Sequence, residues 1–179
     1  MSKLGKKPIT VPKNTTVKVE NGKLILKGPK GSKELSINDK IFSASMSKNN
    51  DLLLNLIKKN EENNSIWGTT RSILNNAIIG VSAGHEKILE LSGVGFRAAL
   101  KGKSLSLQLG FSHESKYEIP AEVNIAVEKQ TTIKISGIDK QIVGKVASEI
   151  KALKPVEPYK AKGIKERGQY VLRKEGKKK

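Results

Sequence analysis

The sequence predicts an α+β protein of two tandem, internally duplicated domains, each an antiparallel-rich β-sheet packed on one face by an α-helix, with a basic C-terminal tail. Three observations carry this. A strand-like segment occurs twice, each copy precedes a stretch of helical periodicity, and the last sixth of the chain holds eleven basic residues against three acidic ones. The repeat reads VPKNTTVKVE over 11–20 and IPAEVNIAVE over 119–128, so that the apolar-Pro opening, the alternation and the closing Glu coincide. One inserted residue later, KLILKG ending at Gly28 pairs with TIKISG ending at Gly137.

In the first copy Val17 alternates with Val19, the period of a strand with one buried face. Glu61 and Glu62 lie in the polar run KKNEENNS that approaches a helix near 65–82. Ile66, Thr70, Ile73, Leu74, Ala77, Ile78 and Val81 recur at helical spacing and predict its inner face. GVSAGH then supplies a glycine stop, which puts the boundary near Gly84 and gives domains 1–83 and 84–154, with an extension over 155–179.

The second domain opens on ILELSGVGFRAAL. Gly93, Gly95 and Ala98 have the G-x-G-x-x-A spacing of a dinucleotide fingerprint, which requires a helix starting at the glycines so that its free amides meet a pyrophosphate. Here Lys101, Gly102 and Lys103 follow and the chain alternates again, so the glycines predict a bend between strands. Phe96 and Arg97 beside that bend are candidates for stacking on a base and touching a phosphate, with core packing an equal claim on the Phe. Gly102-Lys103-Ser104 is not a Walker loop, because the glycine required five positions earlier is Arg97. Leu105, Leu107, Leu109 and Phe111 alternate as a strand, as do Ile133 and Ile135. The second helix runs near 140–153, with Ile142, Val146, Ala147, Ile150 and Leu153 inward and Asp139 as its N-cap.

Composition narrows the function. A formal charge of +17 makes a compact fold repel itself unless a polyanion neutralises it, and nucleic acid is the leading partner. Absence of cysteine removes disulfides, thiolate metal sites and thiol catalysis together. His85 and His113 lie far apart without a paired carboxylate and read as surface or packing residues. No apolar run is long enough to span a bilayer, and MSKLGKKPITVP lacks a secretory stretch, so a soluble, unexported protein is expected. Neither an acid–base pair nor a cofactor motif stands out; no enzyme, cofactor, metal, membrane or small-molecule substrate is expected.

The tail carries most of the argument. Pro155 and Pro158 end the second helix and predict an extended path, after which Tyr159, Lys160, Lys162, Gly163 and Lys165 mix an aromatic face, ammonium groups and a flexible residue. Lysines suit phosphates, a Tyr ring suits an unpaired base, and Gly lets backbone approach a sugar. Lys154, Arg167, Arg173, Lys174, Lys177 and Lys178 add positive charge along the same path. Ile164, Tyr170, Val171 and Leu172 argue against a purely solvated tail.

EPYKAKGI followed by RKEGKKK, with GKKPITVP at the start and SGVGFRA in the middle, resembles the L-six family of bacterial-type large-subunit ribosomal proteins over essentially the whole chain. The resemblance implies two tandem domains of related fold. It also implies binding to large-subunit ribosomal RNA near the stalk base and factor-binding centre, with neighbouring large-subunit proteins as further partners, in a cytoplasmic ribosome. The family's RNA-contacting signature falls on Glu157, Pro158, Tyr159, Lys160, Ala161, Lys162, Gly163 and Ile164. This chain departs from it at Val156, where Pro is usual, at Ala161, often Gly, at Lys165, commonly Arg, and at Glu166, commonly aromatic. Lysine lacks the planar fork with which Arg grips a phosphate, so contact at 165 is expected to be less directional. The rival readings are a nucleotide-dependent enzyme using the Gly93 region and a general nucleic-acid-binding protein or RNA chaperone.

Overall fold

The computed structural model describes residues 3–20, 22–47, 50–58 and 60–176. The chain divides into two compact units, residues 1–84 and 85–179. In the first, the described elements are β1 (Ile9–Thr10), β2 (Thr16–Glu20), β3 (Lys23–Gly28), β4 (Gly31–Ser36), β5 (Phe42–Met46), β6 (Asp51–Leu56) and α1 (Glu61–Ser82). The strands form two antiparallel sheets, β2-β3-β4 and β1-β6-β5. In the second unit β7 (His85–Ser92), β11 (Val123–Glu128), β12 (Thr132–Gly137) and β13 (Gly163–Glu166) make a sheet in the order β11-β12-β7-β13. A second sheet has the order β10-β9-β8, from β8 (Arg97–Lys101), β9 (Ser104–Gln108) and β10 (Ser115–Glu118), and the helix is α2 (Lys140–Leu153). The fold is α+β, as the periodicities predict.

The repeat is a hairpin in both units. Val17 opposes Leu26 in β2–β3 and Ile125 opposes Ile135 in β11–β12. The inserted residue lies in the turn: two residues separate the partners Glu20 and Lys23, three separate Glu128 and Thr132. The longer turn is held by left-handed backbone at Lys129 and Gln130, φ 52° and 57°. The third strand of each sheet enters differently. β3 pairs with β4, which follows it in sequence, whereas β12 pairs with β7, which precedes it. Among the described elements the hairpin and the helix recur in the same order in both units.

Alternation sets the buried face. Leu24 and Leu26 of β3, and Ile133 and Ile135 of β12, are fully buried; each such side chain removed from water contributes roughly 1.5–3 kcal/mol before the entropic cost of ordering it. Helix α1 begins at Glu61, four residues before the predicted start, and its inner face is rotated. Leu74, Ala77, Ile78 and Val81 face inward as expected, but Ile66 and Ile73 are exposed and Trp67 takes the inner position. Trp67 is fixed there because its indole N–H donates to the Leu54 carbonyl at 2.8 Å, and because Gly5, lacking a Cβ, leaves room for the ring. The helix closes with Gly84 at φ +84°, its N–H donating to the Ile79 carbonyl.

Helix α2 has its bounds and cap as predicted: the Asp139 carboxylate accepts from the Gln141 N–H at 3.0 Å. Val143, Val146, Ala147 and Ile150 are buried against β7 and β12, with Ile142 and Leu153 half-buried at the margin. The glycine segment is the bend that the alternation predicts. β7 ends at Ser92, Gly95 takes φ +78°, and the chain continues as β8 with no helix to receive a pyrophosphate. Gly102 and Lys103 form a two-residue hairpin turn between Lys101 and Ser104, with Gly102 at φ +61°.

Candidate nucleic-acid interface

Chain direction after α2 is set by a closed loop. The Ala161 N–H donates to the Glu157 carbonyl at 3.0 Å, the Glu157 N–H to the Lys162 carbonyl at 2.8 Å, and the Ile164 N–H to the Lys154 carbonyl at 3.0 Å. Two backbone positions make the closure possible. Ala161 adopts φ 55°, and Gly163, at φ +142°, lies where a Cβ would meet the Pro155 carbonyl oxygen and the Val156 Cα, each at 2.7 Å. The two prolines therefore lead into a compact loop rather than the extended run expected of them.

Beyond the loop the chain becomes β13 on the outer edge of β7, with Ile164 opposite Leu91 and Lys165 opposite Glu90. Ile164 is 0% exposed and joins the core of the unit. The apolar character that argues for order in the tail is thus used for packing at this position, and Ile164 presents no face to a ligand. Phe96 likewise packs inward, 9% exposed, with Leu107 and Leu109 in the same core. Of the pair Phe96 and Arg97 only Arg97 is exposed, because alternation after the bend sends consecutive side chains to opposite faces.

The cations of the tail fall into two groups. Lys165 and Arg167 converge on Glu90, at 3.4 Å and 3.2 Å, and Glu166 accepts from Lys87 at 3.0 Å. Exposed pairs of this kind are worth about 0–1 kcal/mol, so they bias these side chains without locking them. Pro158, Tyr159, Lys160 and Lys162 instead stand exposed on the loop, Glu157 beside them. The Lys174 N–H donates to the Pro158 carbonyl at 2.9 Å, which folds Arg173 and Lys174 back onto that loop. Among the described residues Lys160, Lys162, Arg173 and Lys174 make no ion pair. Lys177 and Lys178 lie outside the described residues.

One feature beside the loop was not singled out by the pattern of the sequence. Alternation carries Leu105, Leu107 and Leu109 into the core, but Gly110 at φ +74° turns the chain and leaves Phe111 45% exposed. His113 lies parallel to that ring, centroids 6.3 Å apart at 19°, and the Lys154 ammonium sits 4.3 Å from the Phe111 centroid. A glycine after three alternating leucines, followed by two aromatic rings two residues apart, is the signal that could have found it.

No helix of the described residues is long and apolar enough to cross a membrane. No group of acidic or histidine side chains among them could hold a metal ion.

The family model described as ribosomal protein L6 matches residues 92–167, which span the glycine bend, the second hairpin, α2, the loop and β13. The chain is 45% identical to the large ribosomal subunit protein uL6 of Beijerinckia indica subsp. indica over 179 residues, covering the whole of both chains. It is likewise 45% identical to that of Phenylobacterium zucineum and 46% identical to that of Rhizobium rhizogenes, again over the full length of each.

Proposed function

Because the chain belongs to the ribosomal protein L6 family, whose members are structural rather than enzymatic, we propose that it is a constituent of the large ribosomal subunit that binds large-subunit ribosomal RNA and stabilises its folded form. The observation that carries the RNA-binding part is the exposed loop Pro158–Lys162 with Arg173 and Lys174 folded back on it. Four cations without ion-pair partners among the described residues, beside an exposed Tyr ring, form a surface on which phosphates replace water and counterions. In this reading unit 2 faces RNA and the chain from 155 onward is its principal anchor. Lys154, Lys160, Lys162, Arg173 and Lys174 meet phosphates, Tyr159 stacks on an unpaired base, and Arg97 touches the backbone from the bend. Lys165 and Arg167 exchange Glu90 for phosphate as RNA arrives. Gly163, Ala161 and Ile164 act by holding the loop in shape.

The resemblance of EPYKAKGI and SGVGFRA to the family supports a location near the stalk base and factor-binding centre, in a cytoplasmic ribosome among other large-subunit proteins. Specificity comes mainly from RNA shape, because the exposed groups are suited to backbone and to unpaired bases rather than to paired base edges.

Sedimentation of the tagged chain from lysate through sucrose, at moderate and at high salt, tests this. The informative truncation removes residues 168–179, since it spares β13, and it is combined with Lys160→Glu and Lys162→Glu. Co-migration of the full chain with the large subunit, lost in the altered chain as salt rises, is the expected result. If about six to ten phosphates are contacted, binding to isolated ribosomal RNA falls by ~10³ to 10⁵ between 50 and 200 mM salt. Migration at the top of the gradient in every condition would discard the ribosomal reading in favour of a general nucleic-acid binder.

A further inference from the structure

We infer that the groove beside Phe111 is a subsite for one unstacked base of an RNA, an inference that rests on the RNA-binding reading above. The groove encloses about 530 Å³, a size suited to a small planar ligand. Phe96, Leu109, Phe111 and Leu153 make its floor apolar, and Lys154 and Lys162 bring two ammonium groups to its wall. That combination matches a nucleotide, which is flat and apolar on the faces of its base and anionic at its phosphate. Glu157, also in the lining, is an acceptor for the N–H groups on a base edge.

The exposure of Phe111 is built into the backbone. Gly110 turns the ring away from the leucine core, and the His113 ring lies nearly parallel to it, 6.3 Å away between centroids. The Lys154 ammonium now covers the Phe111 ring. A cation over an exposed ring is a weaker contact than a stacked base, so a base displaces Lys154 from the ring and releases its charge for the adjoining phosphate. One lysine serves as a cover in the free protein and as a phosphate contact in the complex.

The test titrates the full chain with a single-stranded RNA, with a fully paired RNA duplex and with heparin, at one fixed salt concentration. Phe111→Ala is expected to weaken single-stranded RNA by about 5- to 50-fold and to leave duplex binding unchanged. Phe111→Leu, which keeps an apolar side chain but removes the aromatic face, follows Phe111→Ala, whereas Phe111→Tyr retains the affinity. All three replacements are at a half-exposed position, and circular dichroism checks that the variants fold. A 4-thiouridine in the single strand is expected to crosslink to the peptide bearing Phe111 and His113. Unchanged single-strand affinity in Phe111→Ala, with RNA binding by the parent chain intact, overturns the groove proposal and leaves the RNA-binding reading standing. Absence of parent-chain binding to either RNA at that salt overturns both.

Discussion

The phenol of Tyr117 on β10 donates to the Glu149 carboxylate on α2 at 2.5 Å, so a side-chain bond ties the three-stranded sheet of unit 2 to its helix. Burial, and then the Glu149 carboxylate, push the Tyr117 phenol up to about 12. Because its ordinary value is 10.0, the folded chain keeps a proton that the unfolded chain loses. The contribution is complete below about pH 10 and disappears as pH rises through about 12. Tyr117→Phe is expected to lower stability by ~1 kcal/mol at neutral pH. In an ultraviolet titration it should also remove the phenolate absorbance that rises near pH 12.

Glu114 gives the opposite pH dependence. Hydrogen bonds from Ser106, Gln108 and Lys101, with the charge of Lys101, hold its carboxyl at about 2 against an ordinary 4.5. The unfolded chain therefore binds the proton first, and the stabilisation present above about 4.5 is lost as pH falls through about 2. Calorimetric melts of the parent chain over that window should show a falling midpoint. Glu114→Gln should flatten the fall, and an equally steep fall in the variant would remove Glu114 as its source.

Backbone strain in the loop predicts two changes of opposite sign. Ala161 holds φ 55°, a conformation that costs an L residue about 1–2 kcal/mol. Ala161→Gly should therefore raise stability by about 1 kcal/mol, less what the unfolded chain gains in freedom. Gly163→Ala combines φ +142° with a Cβ 2.7 Å from the Pro155 oxygen, and should lower stability by about 2 kcal/mol or more. Urea midpoints followed by circular dichroism measure both.

Glu90 competes with phosphate for Lys165 and Arg167. Glu90→Gln should leave the melting point nearly unchanged, because exposed pairs contribute about 0–1 kcal/mol. It should tighten binding to ribosomal RNA measured at fixed salt. Unaltered affinity would show that these two side chains are not phosphate contacts.

The hairpin repeat, the Asp139 cap and the alternations of Leu105 with Leu107 and of Ile133 with Ile135 could be read from sequence because each is local: a period of two or a side chain bonding two residues away is written in adjacent letters. The same period at Val17 and Val19 gave a strand but no buried face, since Val19 is exposed. The inner face of α1 could not. Ile66 and Ile73 are as apolar as the residues that were buried, and the choice of Trp67 depends on a carbonyl at Leu54 and a gap at Gly5. The loop at 154–164 escaped for the same reason, since its closure rests on Gly163 passing Pro155 and on β13 finding the edge of β7. Apolar residues in a basic tail signal order, but not whether that order comes from the chain's own core, as for Ile164, or from a partner. The exposed cations of the candidate site were evident from charge alone, whereas the aromatic platform at Phe111 depends on the φ of one glycine.

The pairing of β7 with β13 also imposes an order on synthesis. β7 is the first strand of its sheet to be made, and it is flanked by strands that follow much later: β12 on one side, and β13 on the other only after α2 is complete. Throughout that interval one edge of β7 has no partner, with Leu91 awaiting Ile164 and Leu89 awaiting Glu166. A nascent chain in this state carries an open strand edge beside apolar side chains, the condition that favours association with other chains. The closing strand is thus both the last structural piece of the sheet and the step that ends its exposure during translation.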